Sequence, residues 1–171
     1  NMVHIENSHE LLIKHETKDL IKVVIESRFA SDSTKGLLIN KKFTLACMRD
    51  CFLRGEAPYA SHVLYAQSHI VDDFVASERA LGMHAGFLWG DCATKTVVYT
   101  DMGISSGMAM GIEHAKKMNR PVEYRILGFI PEVTNEEVEL TEKLIEQQKA
   151  FLQECKTKLH PTFNLCLSNI Y

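Results

Sequence analysis

The sequence lacks any uninterrupted apolar run of the roughly 18 residues that a membrane-crossing helix needs, so no transmembrane segment is expected. Asn1 to Glu10 is polar and acidic, without the apolar stretch of a secretory leader. No CxxC pair and no HExxH motif occurs, which leaves Cys47 and Cys51, one helical turn apart, without a recognised metal-site spacing. Small buried residues in a helix are the simpler account of them, and no metal or organic cofactor is expected. The chain also lacks an excess of either charge: 19 basic and 22 acidic side chains leave a net −3. A nucleic-acid coat or a polybasic membrane-surface protein is therefore not expected, and a phosphate-bearing ligand would be held by local groups.

What is present is enough apolar material for one core, 46% of 171 residues. Five cysteines, an odd number in a chain too large to need staples, read as reduced thiols in a cytoplasmic setting. Three regions are expected: an N-terminal extension over 1–19, an α/β domain over 20–130, and a helical C-terminal extension over 131–171.

Apolar β-branched runs predict strands at Leu20–Ile25, Ala57–Tyr65, Thr96–Thr100 and Val122–Leu127. Helical spacing of Phe43, Cys47, Met48 and Cys51 predicts a helix over about Leu38–Arg54, ended by Gly55 after a loop at 30–36. A second helix is predicted from Ser77 to about Asp91, with Leu81, Ala85 and Leu88 on one face, and a third from the Gly103–Gly107 turn to about Met118. Strand and helix alternate, which predicts a Rossmann-like three-layer sandwich with a mostly parallel sheet. Thr134 and Glu137 form a capping-box pattern that opens a long C-terminal helix to about Lys158. Its stripe of Leu144, Ile145, Phe151, Leu152 and Cys155 needs cover from the parent domain or from a second subunit.

In open α/β sheets, ligands lie beyond the carboxyl ends of the strands. That rim would gather Ser27 and Arg28, His62 within the second strand, Tyr65 and the loop containing Asp73, and the segment from Asp101 to Met108. Gly103 and Gly107 permit close backbone approach, while Ser105 and Ser106 add hydroxyls at a helix start suited to phosphate or ribose. Each residue also has a plain structural account. Ser105 serves as an N-cap, Gly107 allows tight packing, Asp101 sits in a turn, and Asp72–Asp73 is a solvated loop pair. Arg28 can pair with Glu26 or Asp32, His62 can be a core histidine, and Glu78–Arg79 can be helix-start decoration.

Taken together, the segments 57–66, Asp72–Asp73, 78–82, 104–108 and 112–115 resemble a group of uncharacterised bacterial and phage domains (DUF7768- and DUF4406-like). That group is related to nucleoside 2-deoxyribosyltransferases and deoxynucleoside-monophosphate N-glycosidases. The resemblance implies a flavodoxin-like, often dimeric fold whose partner is a small nucleoside or nucleotide, with serines of the turn holding a 5′-phosphate. It also implies a glutamate on the following helix attacking the anomeric carbon, and an aspartate nearby, for which Asp101 is the nearest candidate. In the enzymes that glutamate stands six positions after the serine. Here the position is Gly111, and Glu113 lies two residues on, about 200° around an α-helix. The carboxylates in play are thus Glu113, Asp101 and Glu26. The expected function is an N-glycosidase or deoxyribosyltransferase-like enzyme; the alternatives are a nucleotide sensor or sponge without turnover, and a scaffold domain acting through the C-terminal helix.

Overall fold

The computed structural model describes residues 19–66 and 70–159. Most of the expected N-terminal extension, residues 67–69 and the last twelve residues, which include one of the five cysteines, lie outside the described residues. Four strands, β1 (Ile21–Glu26), β2 (Glu56–Tyr59), β3 (Lys95–Tyr99) and β4 (Val122–Arg125), form one all-parallel sheet in the order β2-β1-β3-β4. The central pair carries the β-branched residues the sequence singles out: Val23, Ile25, Val97 and Val98 are fully or almost fully buried, as strands covered on both faces require.

Helix α1 (Thr34–Leu53) covers one face, where Phe43, Cys47 and Cys51 pack against Val23, Ile25, Val97 and Tyr99. The two cysteines are core residues, and burial pushes the Cys51 thiol up to about 11. α1 starts a turn earlier than the apolar spacing predicts. Ser33 caps it by accepting from the Gly36 amide at 3.1 Å, and the glycine inside the first turn hides this start from a periodicity reading.

Helices α2 (Ala76–Gly90) and α3 (Ser106–Lys117) complete the sandwich. The buried stripe of α2 is not Leu81, Ala85 and Leu88 but Gly82, Gly86 and Gly90; Leu88 is 59% exposed. A Cβ at Gly86 would lie 2.8 Å from Ser61 Cβ and one at Gly82 2.9 Å from Val71 Cγ2, so missing side chains set the distance of this helix from the chain after β2. Gly86→Ala is expected to destabilise the fold by about 1–3 kcal/mol through overpacking, readable as a lower denaturant midpoint at unchanged slope.

Helix α4 (Asn135–Lys158) has the predicted capping box and length. It meets α1, where Lys42 pairs with Glu137, yet none of its residues is buried and Phe151 is 64% exposed. Among the described residues, no helix is long and apolar enough to cross a membrane.

A charged network lies buried on the α1 face. Arg125 donates two bonds of 2.7 Å to Glu56, and both side chains are at most 5% exposed. Lys95 completes Glu56 at 2.7 Å, and Tyr99 Oη donates to Asp50 at 2.7 Å. Burial alone would raise the Glu56 carboxyl, but its bonds to Arg125 and Lys95 outweigh that and hold it below the ordinary range.

Candidate functional site

β1 and β3 are adjacent while the connections leaving them run to opposite faces, and this is the divergence point at which doubly wound sheets bind ligands. A cavity of about 150 Å³ opens there, lined by the ends of β1 and α3, by α2 and by the chain after β2. That last segment is not strand. Pairing ends at Tyr59, and His62–Ala66 forms a π-helical turn whose Val63 and Leu64 amides both reach the Ala60 carbonyl. His62 is therefore carried over the sheet's carboxyl edge rather than within the sheet, the correction to the strand predicted over 57–65.

The structure brings Ser27, His62, Tyr65, Asp73, Ser105, Ser106, Gly107 and Met108 to this cavity. Ser105 caps α3, accepting from the Met108 amide at 3.3 Å. The amides of Ser106 and Gly107 have no intrahelical acceptor at such a start. Arg79, which spacing alone assigns to helix-start decoration, also lines the cavity. It donates to Asp73 at 2.8 Å, and its Nη2 lies 3.5 Å from where a Gly107 Cβ would stand.

Four sequence candidates are not brought to the cavity. Glu113 is on the solvent face of α3, 66% exposed and paired with Lys117 at 3.1 Å. Asp101 accepts from the Leu127 and Gly128 amides at 3.0 and 2.7 Å, tying the exit of β3 to that of β4. Arg28 is exposed and donates to the Met102 carbonyl, not to Glu26 or Asp32. Gly103 takes φ +75° in an exposed turn, as a glycine there readily does.

The carboxylate that does reach the cavity is Glu26, from the end of β1. A Cβ added at Gly111 would lie 2.0 Å from Glu26 Oε1, so the carboxylate rests directly on the glycine backbone of α3. No hydrogen bond or ion pair reaches this carboxylate among the described residues. Burial pushes it up to about 8, partly opposed by the charge of Arg120. The space beside Gly111 is thus occupied by a carboxylate from another element, an arrangement that spacing along one helix cannot reveal.

Burial likewise holds His62 down at about 4. The folded chain keeps a proton on Glu26 that the unfolded chain, titrating near 4.5, releases, so this group's contribution to stability falls from pH 4.5 to about 8. The unfolded chain protonates His62 below 6.5 while the folded imidazole stays neutral to about 4, so that contribution falls as pH drops through this window. The slopes cancel where they overlap, and Glu26 acts alone from pH 6.5 to 8. Stability is expected to drop by about 2 kcal/mol across that interval, and a denaturation series should show the drop vanish in Glu26→Gln.

Residues 21–125, the sheet with α1 to α3, match the domain family described as a domain of unknown function, DUF7768, and the chain belongs to that family. No curated protein and no solved structure matches it.

Proposed function

We propose that the chain is an N-glycosidase or deoxyribosyltransferase-like enzyme of a nucleoside or nucleotide, with Glu26 as its reacting carboxylate. The observation that carries this reading is the Glu26 carboxylate, without a hydrogen-bond or ion-pair partner among the described residues, lying on Gly111 inside the cavity at the β1/β3 divergence. Ionised Glu26 would form a bond to the anomeric carbon, or stabilise its oxocarbenium-like state, as the bond to the base nitrogen breaks and the base takes a proton from solvent. Water then attacks the sugar and frees the carboxylate. The amides at the start of α3, the hydroxyl of Ser106 and the guanidinium of Arg79 supply an anion-binding end for a 5′-phosphate.

The reading places the protein in the cytoplasm with a small molecule as partner. It includes a homo-oligomer, for which the exposed Leu140, Leu144 and Phe151 of α4 provide apolar surface. Incubation with nucleosides and deoxynucleoside monophosphates, followed by chromatography, is expected to show free base; its absence across both sets would remove the enzymatic reading. One observation favours a second reading, a binding protein without turnover: with a carboxyl titrating near 8, Glu26 is mostly a neutral hydrogen-bond donor at pH 7. Thermal stabilisation by a monophosphate with no base released would select it.

A further inference from the structure

The polar groups behind the cavity fix where the His62 proton resides. Thr44 Oγ1 donates to the Asn40 carbonyl at 3.0 Å, which uses its only hydrogen. The 2.8 Å contact between Ser27 Oγ and Thr44 Oγ1 then requires the serine hydrogen. Ser27 consequently has none left for His62 Nε2, 3.0 Å away, and Thr44 has none for the same nitrogen at 3.2 Å. Both contacts are bonding only if Nε2 carries the hydrogen. The chain of donors runs one way, from His62 through Ser27 and Thr44 to Asn40, and Asn40 is itself anchored to the Phe29 carbonyl at 2.7 Å. The imidazole is neutral above about pH 4, so Nδ1 is left with a lone pair. Among the described residues, nothing donates to it.

We propose that His62 Nδ1 is a built-in hydrogen-bond acceptor of the cavity, and that it selects ligands presenting an O–H or N–H donor at that wall. The donor would be a sugar hydroxyl or a base amino group. His62 is on this account a specificity-determining residue, held in one tautomer by the hydroxyls of Ser27 and Thr44 and the carbonyl of Asn40. The inference deepens the nucleotide reading and rests on it for the kind of ligand, while the tautomer can be read without any ligand.

Two measurements test it. Nitrogen-15 NMR of the free protein at pH 7 is expected to show His62 protonated at Nε2 and bare at Nδ1; a hydrogen on Nδ1 would overturn the inference, even if nucleotides were cleaved. The second measurement is calorimetric binding of 2′-deoxyadenosine 5′-monophosphate, its 2′,3′-dideoxy counterpart, and the purine deoxyriboside monophosphate lacking the amino group. One of the two altered ligands is expected to bind about tenfold more weakly, the effect of a single lost hydrogen bond, and which one identifies the donor as sugar or base. His62→Gln, which can keep the contact to Ser27, should bind the parent nucleotide as weakly as the altered ligand. His62→Asn, which keeps an acceptor near Nδ1, should retain the discrimination. The reverse order of the two variants would reduce His62 to a structural role and overturn the proposal. Nε2 protonation with no binding of any nucleotide would instead remove the nucleotide reading, together with the selectivity it supports, and leave only the tautomer assignment.

Discussion

Glu26→Gln is expected to lower base release by at least about 10³-fold, the scale on which loss of a reacting group acts. The substitution keeps size and shape, and the amide needs no charge stabilised in a buried site, so folding should be preserved and stability at pH 8 improved. The pH profile gives an independent signature. If ionised Glu26 is the reacting form, the rate should climb with pH and level off above about 8; a rate that falls over the same range would make the protonated acid the active form. A two-site exchange is sharper still. Gly111→Ala should push the carboxylate off α3 and cost activity with little loss of fold, because the atoms it meets are the far end of a side chain. Glu26→Gly combined with Gly111→Glu should recover part of the turnover by delivering a carboxylate to the same space from α3. Failure of the exchange, alongside an active Glu26→Gln, would transfer the chemistry to another group.

The second large effect concerns stability. Arg125→Met is expected to cost about 3–5 kcal/mol, because it strands Glu56 in the core after removing its bidentate partner. Lys95 still reaches Glu56 at 2.7 Å, which favours the lower end of that range. For a chain of this size the melting temperature should fall by about 2–4 °C per kcal/mol. Adding Glu56→Leu to Arg125→Met should restore most of the loss, since a packed apolar pair replaces a buried charge that has lost its bidentate partner. Restoration in a double-mutant cycle would show that the single variant measures an incompletely compensated carboxylate rather than the net worth of the pair.

The elements of the sheet were legible because their residues answer to local rules. Val23 to Ile25 and Val97 to Tyr99 read as parts of strands and are so, buried in the sheet; Ser105 and Thr134 read as caps and are so. The misreadings occur where a neighbour overrides local character. The run Ala57–Tyr65 is apolar enough for a long strand, yet its second half is drawn into a π-helical turn packed against α2. That helix in turn buries its glycines rather than its leucines, because closeness to Ser61 and Val71 matters more there than apolar area.

By itself, the sequence determined the alternation of strands and helices, the parallel sheet they imply and the helix start at Ser105, since hydrophobic period and capping chemistry act over a few residues. It also located the cavity's rim, which follows from strand direction once the sheet is parallel. Only the tertiary structure decided which carboxylate enters the cavity. Glu113 and Asp101 are near the turn in sequence but are spent on Lys117 and on the amides after β4, whereas Glu26, 85 positions before Gly111, is laid on that glycine by the packing of α3 against β1. The reason is geometric: side-chain direction on a helix or strand is fixed by local backbone, but the group that fills the space left by an absent side chain is fixed by whatever element packs across from it.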